Sequence, residues 1–319
     1  MSLARYGWND FFHRQIGNAR RVKPGRVRLA TARRAQVYAA DRTVSLSVPR
    51  NVGPAVVGDW VLFDPKKRIA RRVLRRRNAL ARNRPGQAAR RQILASNIDM
   101  AMIVAGLDRP VNPRQIERYL ICVQETGARA LIVLNKSDLC AAASETASAL
   151  QTTNPRYPVM TGSAVTSEGL PAIADRLPAR GTIALAGPSG VGKSSLVNAL
   201  LNRDHLRVGE VRAGDRRGKH TTTRRELVAH PEGWLLMDLP GIRELYPWSH
   251  PETVDGVFPE ITDLARDCFY RDCRHITEPR CAVRAASSEG RIDAARLASY
   301  LELRGEQETL ARNLEELRS

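Results

Sequence analysis

Residues 182–200 read TIALAGPSGVGKSSLVNAL: an apolar run, a loop with glycines at 187, 190 and 192, then an apolar-faced helix opened by Lys193 and Ser194. This is the pattern G-x-x-x-x-G-K-[ST] in the strand-loop-helix setting it requires. It constrains the fold more than anything else in the chain. A buried strand that passes into a helix through a phosphate-sized loop needs parallel strands beside it, with helices covering the sheet.

The neighbouring sequence has that texture. From Ile98 onward IDMAMIVAGL, RALIVLNKSDL and YPVMTGSAV are apolar runs ending in polar or glycine-rich loops, separated by helical stretches such as RQIERYLICVQETG. The alternation predicts a central α/β domain with ligands at the carboxyl ends of its strands.

Two strand ends there, and the loop between them, carry phosphate chemistry. In the loop Gly187, Pro188, Ser189, Gly190, Val191, Gly192, Lys193, Ser194 and Ser195, the backbone N–H groups and the helix N-terminus are expected to cradle phosphates. Lys193 is expected to reach the β- and γ-phosphates and Ser194 to hold Mg²⁺. Asp238-Leu-Pro-Gly241 closes the run GWLLMD; its Asp is placed to hold Mg²⁺ through water and its Gly N–H to sense a γ-phosphate. Between them, Gly218-Lys-His-Thr-Thr-Thr223 lies where a switch loop belongs, and one of Thr221, Thr222 and Thr223 is expected to complete the Mg²⁺ shell.

Two further strand ends read a base. Guanine presents N1–H and an exocyclic amine side by side, and the Asp138 carboxylate of Asn135-Lys136-Ser137-Asp138 accepts from both. Adenine would leave that carboxylate unpaired, a cost in a closed pocket. Asn135 is expected to bond the base edge and tie loops together, and Lys136 to lay its stem along the base plane. Ser163-Ala164 can offer a backbone N–H to the guanine O6. GTP and GDP are therefore the expected nucleotides, and a P-loop kinase or ATPase is disfavoured. The order is unusual: the base motif comes first and the phosphate loop after it, as in a circularly permuted chain. Permutation is tolerable because domain termini usually lie close together at the surface.

The first third of the chain differs in kind. Of a net charge of +18, residues 1–94 carry +19, with 23 Lys and Arg against 4 Asp and Glu. Such asymmetry favours a nucleic-acid partner over a merely solvated surface. GRVRLAT, AQVYAA, TVSLSV and DWVLFD read as short strands between turns, which predicts a small OB-like barrel. Residues 71–95 read as a basic linker whose Arg75–Arg77 run and Arg90-Arg91 pair could touch phosphates.

Past Pro247 the strand pattern stops. Cys268, Cys273, His275 and Cys281 supply three thiolates and an imidazole within 14 residues, a closed tetrahedral set for one structural Zn²⁺. Of the five cysteines, Cys122 and Cys140 lie in apolar stretches and read as packing residues. Residues 287–317 read as a charged helix with Leu297, Leu301, Leu310, Leu314 and Leu317 on one face. No apolar run reaches the roughly 18 residues of a membrane helix, and the first residues lack a signal-peptide core. A cytoplasmic, membrane-independent chain is expected.

The motifs GWNDFF, VVGDWV, NPRQIERYL, VLNKSDL, GPSGVGKSSLVNAL, GKHTTT, DLPGIRE and CFYRDCRHITEPRCAV together resemble the RsgA (YjeQ) family of small-subunit-dependent GTPases. The resemblance spans nearly the whole chain. It implies a basic OB domain (1–95), a permuted GTPase domain (96–247) and a mainly helical zinc domain (248–319). It also implies a monomer that binds the small ribosomal subunit and its rRNA during late maturation, with GTP hydrolysis stimulated by that subunit. One departure from GTPases in general concerns chemistry. Ile242 follows Asp238-Leu-Pro-Gly241 where many GTPases place a water-orienting Gln, so His220 in the switch segment becomes the candidate catalytic residue.

Overall fold

The computed structural model describes residues 3–17, 21–40, 42–83, 91–201, 225–231, 233–238 and 251–316. The chain folds as two compact units. The first comprises Met1–Ala81, Ile93–Val111 and Thr126–Glu244; the second comprises Arg82–Gln92, Asn112–Glu125 and Leu245–Ser319.

The first unit opens with the short helix α1 (Asp10–His13), capped by Asn9, whose side chain accepts from the Phe11 N–H at 3.1 Å. Five strands follow: β1 (Lys23–Ala30), β2 (Arg34–Tyr38), β3 (Thr43–Ser47), β4 (Trp60–Asp64) and β5 (Ile69–Val73). They pair in the order β1-β2-β3-β5-β4, and β4 returns to β1, closing an OB-type barrel. Only β3 and β5 run parallel within it. Val27, Val37, Leu46, Val61 and Phe63 fill its interior.

The expected basic linker is therefore partly strand. Arg71 is the extra residue of a bulge, since Arg72 pairs with Leu62 and Ala70 with Phe63. The bulge turns both Arg71 and Arg72 outward and hides the two-residue alternation from a sequence reading. Farther on, β6 (Ala79–Asn83) and β7 (Arg91–Ser96) form a two-stranded sheet.

The α/β part of this unit contains β8 (Met100–Gly106), β9 (Arg129–Asn135), β10 (Val159–Gly162), β11 (Thr182–Ala186), β12 (Glu226–Ala229) and β13 (Leu235–Asp238). The chain segment after β8 forms α2 (Pro113–Gln124), which belongs to the second unit. Helices α3 (Ala143–Thr153), α4 (Leu170–Arg176) and α5 (Lys193–Leu200) belong to the first. The strand order is β10-β9-β8-β11-β13-β12, parallel except for the β12–β13 hairpin. Strands β8 and β11 are buried along their whole length, as parallel strands covered on both faces must be. Their core includes Met102, Val104, Ile183 and Leu185, with Leu196, Val197 and Leu200 from α5.

Barrel and α/β sheet are one continuous eleven-stranded sheet, because β1 pairs antiparallel with β12 at Leu29 and Glu226. Arg28 forms an ion pair with Glu226, and the Tyr38 hydroxyl donates to the Leu227 carbonyl at 3.0 Å. Beside this seam Arg26 is buried, donating to Asn97 O at 3.1 Å and to Thr182 Oγ1 at 2.9 Å, with its guanidinium 5.5 Å from the Trp60 ring centre. Burial lowers its pKa to about 9, so it remains a cation at neutral pH.

In the second unit α2 is accompanied by α6 (Pro251–Asp255), α7 (Pro259–Ala265), α8 (Ala282–Ser288) and α9 (Ala294–Glu316). Arg296 lies at the centre of a buried polar cluster. It donates to Glu117 at 2.6 Å, to Glu260 at 2.8 Å and to the Val257 carbonyl at 2.9 Å, and Ser299 also bonds Glu117. The last helix differs from the sequence expectation in start and in part of its face. It begins at Ala294, and its buried residues are Arg296, Leu297, Ser299, Tyr300, Leu303, Gln307 and Leu310; the expected Leu297 and Leu310 are among them, while Leu301 and Leu314 are only half-buried. The buried face follows the polar anchor at Arg296 rather than the leucines alone. Among the described residues no helix is long and apolar enough to cross a membrane.

Candidate nucleotide site and metal centre

The carboxyl ends of β8, β9, β10, β11 and β13 line up at one edge of the sheet. Gly106 pairs with Asn135 and Asn135 with Gly162, while Leu185 pairs with Asp238. The edge therefore gathers the base motif, Ser163-Ala164, the phosphate loop and Asp238, separated by up to about a hundred residues in sequence.

The phosphate loop leaves β11 at Gly187 and enters α5 at Gly192. At Gly187 φ is +146°, and a β-carbon would collide with the Val104 carbonyl. At Gly192 φ is +87°, and a β-carbon would strike the Asn135 amide. Only glycine tolerates either position. Pro188 is half-buried, Ser189 and Gly190 are exposed, and Val191 packs into the core. Lys193 is buried and arches back, its Nζ donating to the carbonyls of Gly187 at 2.8 Å and Pro188 at 2.7 Å. Its ammonium thus hangs over the loop whose phosphates it is expected to meet. Ser194 and Ser195 sit half-buried in the first turn of α5.

The base motif is fastened to this loop. Asn135 Nδ2 donates to the Val191 carbonyl at 2.9 Å, and Asn135 Oδ1 accepts from the Ala164 N–H at 3.1 Å. One buried side chain thereby joins three loops. Lys136, at φ +67°, donates through Nζ to the Gly190 carbonyl at 2.8 Å and to Asp108 at 3.0 Å. Ser137, Asp138 and Leu139 form a single 3₁₀ turn, which leaves the Asp138 carboxylate exposed. Ser163 is buried, its Oγ accepting from the N–H groups of Val165 and Thr166 at 3.1 Å each, so it shapes the loop that presents Ala164.

Two residues at this edge carry no signal in the motifs. Asp108 bridges Lys136 and Arg109, each at 3.0 Å. Burial acts to raise the Asp108 pKa, but hydrogen bonds from Arg109 and Lys136 outweigh it and hold the carboxyl below its usual range. The strand-end rule alone points to them, since Leu107-Asp108-Arg109 directly follows β8. Asp238 ends β13 as expected. His220, Thr221, Thr222, Thr223, Gly241 and Ile242 lie outside the described residues.

The second centre lies in the loop between α7 and α8. Ligand atoms of Cys268, Cys273, His275 and Cys281 all fall within 4.8 Å of one another. His275 Nδ1 is 3.6 Å from Cys268 Sγ and 3.3 Å from Cys281 Sγ, and the two sulfurs are 3.8 Å apart. A tetrahedral zinc with bonds of about 2.3 Å to sulfur and about 2.1 Å to nitrogen spaces its ligands roughly 3.5–3.8 Å apart, so the donor set fits. Burial lowers the His275 pKa, with Arg304 adding to the effect, which favours the neutral imidazole that ligates. Cys281 also caps α8, accepting from the Arg284 N–H at 3.4 Å.

The strand order, with the phosphate-loop strand central and the base motif preceding it in the chain, defines a circularly permuted P-loop GTPase. The comparisons agree in detail. The RsgA GTPase family model matches residues 73–248. The small ribosomal subunit biogenesis GTPase RsgA of Syntrophotalea carbinolica is 39% identical over 326 residues, covering 96% of this chain and 90% of that protein. Its counterpart in Opitutus terrae is 38% identical over 339 residues, covering 99% and 92%. The crystal structure of YjeQ from Thermotoga maritima superposes with a TM-score of 0.66 at 24% identity, covering 90% of this chain and 98% of that one. YloQ, described as a circularly permuted GTPase, gives 0.63 at 23% identity, covering 92% and 97%. The chain belongs to the RsgA GTPase family, and is a GTP hydrolase by that membership.

Proposed function

We propose that this chain binds GTP and GDP with Mg²⁺ at the sheet edge, docks on the small ribosomal subunit and hydrolyses GTP there during late maturation of that subunit. The observation that carries the reading is the pinning of the base motif to the phosphate loop by Asn135 and Lys136. The bonds support reading Asp138 as the guanine-selective carboxylate and Gly187–Ser195 as the phosphate cradle of a single site. In this reading Asn135, Lys136, Ser137, Asp138, Ser163 and Ala164 hold the base. Gly187–Ser195, Asp238 and Gly241 serve phosphates and metal, with Ser194 on Mg²⁺. Cys268, Cys273, His275 and Cys281 hold one structural Zn²⁺. The modules are 1–95 for RNA, 96–247 for GTP and 248–319 for zinc.

Contact with rRNA draws support from both ends of the chain. Exposed Arg33, Arg34, Arg42, Arg68, Arg71 and Arg72 stud the barrel. On the zinc loop Phe269, Tyr270 and Ile276 are exposed, with the Arg280 guanidinium 4.7 Å over the Phe269 ring. Arginine interleaved with exposed rings suits phosphates and unstacked bases. The working form is a cytoplasmic monomer. His220 orients the attacking water, and motion at Gly241 passes through 242–248 to the zinc module.

The test is GTP hydrolysis by the full chain with and without purified small subunits, beside Lys193→Ala. Stimulation by subunits that Lys193→Ala abolishes is expected; no hydrolysis in either condition would sink the reading. Ile242 favours one alternative, an RNA-binding protein that senses GTP and GDP without turning over. Nucleotide-dependent subunit binding with no phosphate release would select it.

A further inference from the structure

Arg109 is the residue at the sheet edge that the nucleotide reading leaves without a task. Its side chain is 61% exposed, with its backbone limited by the residue that follows and its tip in contact with the residue before it. Pro110 follows it and restricts its backbone to extended conformations. Asp108 accepts from its Nη2 at 3.0 Å.

The guanidinium is aimed at the phosphate loop. A β-carbon built on Gly190 would have one non-neighbouring atom within 4 Å among the described residues, Arg109 Nη2, at 3.9 Å. Among the described residues nothing else comes that close to Gly190. A second cation, Lys136, shares the same two neighbours: its Nζ bonds the Gly190 carbonyl at 2.8 Å and Asp108 at 3.0 Å. Among the described residues, two cations thus share a single carboxylate beside the loop read as the phosphate site. The imbalance is one positive charge, and a phosphate oxyanion is the chemical complement. The bond between Arg109 and Asp108 is an exposed pair between adjacent residues, of a kind that contributes little and exchanges readily. A phosphate offers the guanidinium fork two acceptors in one plane, a stronger contact.

We propose that Arg109 is a phosphate ligand of the bound nucleotide, contacting the α,β-diphosphate that GTP and GDP share. The assignment rests on the reading of Gly187–Ser195 as the nucleotide site. The choice of phosphate follows from Lys136, whose stem is assigned to the base. Arg109 and Lys136 flank the same Gly190 and the same Asp108, so Arg109 stands on the base side of the loop. Lys193 and Ser194, which are assigned to the β- and γ-phosphates and Mg²⁺, begin α5 beyond it. Arg109 therefore acts on retention of both nucleotides rather than on telling them apart.

The experiment measures affinity and release of fluorescent GDP and of a fluorescent non-hydrolysable GTP analogue, using the full-length chain, Arg109→Ala and Arg109→Lys. Loss of one charge-assisted contact predicts about tenfold weaker binding and faster release of both nucleotides in Arg109→Ala. Arg109→Lys, which keeps the charge without the fork, is expected to fall between. Unchanged binding of both nucleotides in Arg109→Ala would overturn the proposal. Weakened GTP analogue with unchanged GDP would overturn the α,β assignment by moving Arg109 to the γ-phosphate. Failure of the unaltered chain to bind either nucleotide would instead sink the site on which the inference rests.

Discussion

The side-chain amide of Asn135 donates to the carbonyl oxygen of Val191 over 2.9 Å, joining the end of β9 to the middle of the phosphate loop. Asn135 is 1% exposed; its bond to Val191 is buried and its bond to Ala164 is partly so. Removing the side chain takes the partner from the buried Val191 carbonyl, at about 1–3 kcal/mol for a buried group left unsatisfied, and from the partly buried Ala164 N–H at a lower cost. Asn135→Ala is expected to weaken guanine nucleotide binding by at least tenfold, as read by fluorescent GDP titration. Unaltered affinity would mean that the three loops keep their positions without it.

Base selection is expected to follow Asp138. An Asn at 138 presents one acceptor and one donor, matching the N1–H and C2 carbonyl of xanthine in place of the two donors of guanine. Asp138→Asn should therefore lose GTP and gain xanthosine triphosphate in competition assays, by the several orders of magnitude that follow from unpaired polar groups, about 10⁴-fold. Retained preference for GTP would place the base elsewhere.

The metal centre should be coupled to the folding of its own loop. Cys268, Cys273, His275 and Cys281 bracket a segment with little hydrophobic core, in which Phe269, Tyr270 and Ile276 are exposed. Strong chelation or Cys273→Ser is expected to release one zinc per chain by metal analysis and to lower the melting temperature. A chain purified with no zinc and indifferent to chelator would refute the assignment.

In the second unit Arg296 and Glu117 are 6% and 2% exposed and joined at 2.6 Å. Removing Glu117 leaves the buried Arg296 with the more exposed Glu260 as its remaining carboxylate, so the cost is a part of the about 3–5 kcal/mol that breaking an isolated buried pair carries. Glu117→Ala should therefore be destabilising in denaturant titration. Arg296→Met combined with Glu117→Leu, which removes both charges, should recover much of the loss. Equal damage in the single and double variants would show that packing, rather than the unpaired charge, sets the cost.

What the sequence disclosed follows how local each signal is. The phosphate loop and the base motif are each written within a few consecutive residues, and the four metal ligands within fourteen. Strand-end placement then brings the first two together by rule. Pairings between distant segments leave no such mark. Nothing around Leu29 announces that its partner is Glu226, because a strand edge is recognised by backbone groups common to every residue. Arg71 and Arg72 disguised β5 for a different reason: a bulge places consecutive side chains on one side and erases the alternation that identifies a strand. Asp108 and Arg109 went unread because an Asp-Arg pair at a loop is common, and its meaning comes only from Lys136 and Gly190 arriving beside it.

The seam between β1 and β12 also sets a timetable. The barrel strands lie within 51 residues, from Lys23 to Val73, and can pair as soon as that stretch is made. Arg28 must wait for Glu226, 198 residues later. Domains form in the order of synthesis when their contacts are local. A growing chain therefore carries a finished barrel with one bare edge while the base motif, and only afterwards the phosphate loop, emerges. The last strand pair, β12 and β13, fills the gap between β11 and that edge, so the two halves of the sheet are joined only when the nucleotide site is nearly complete.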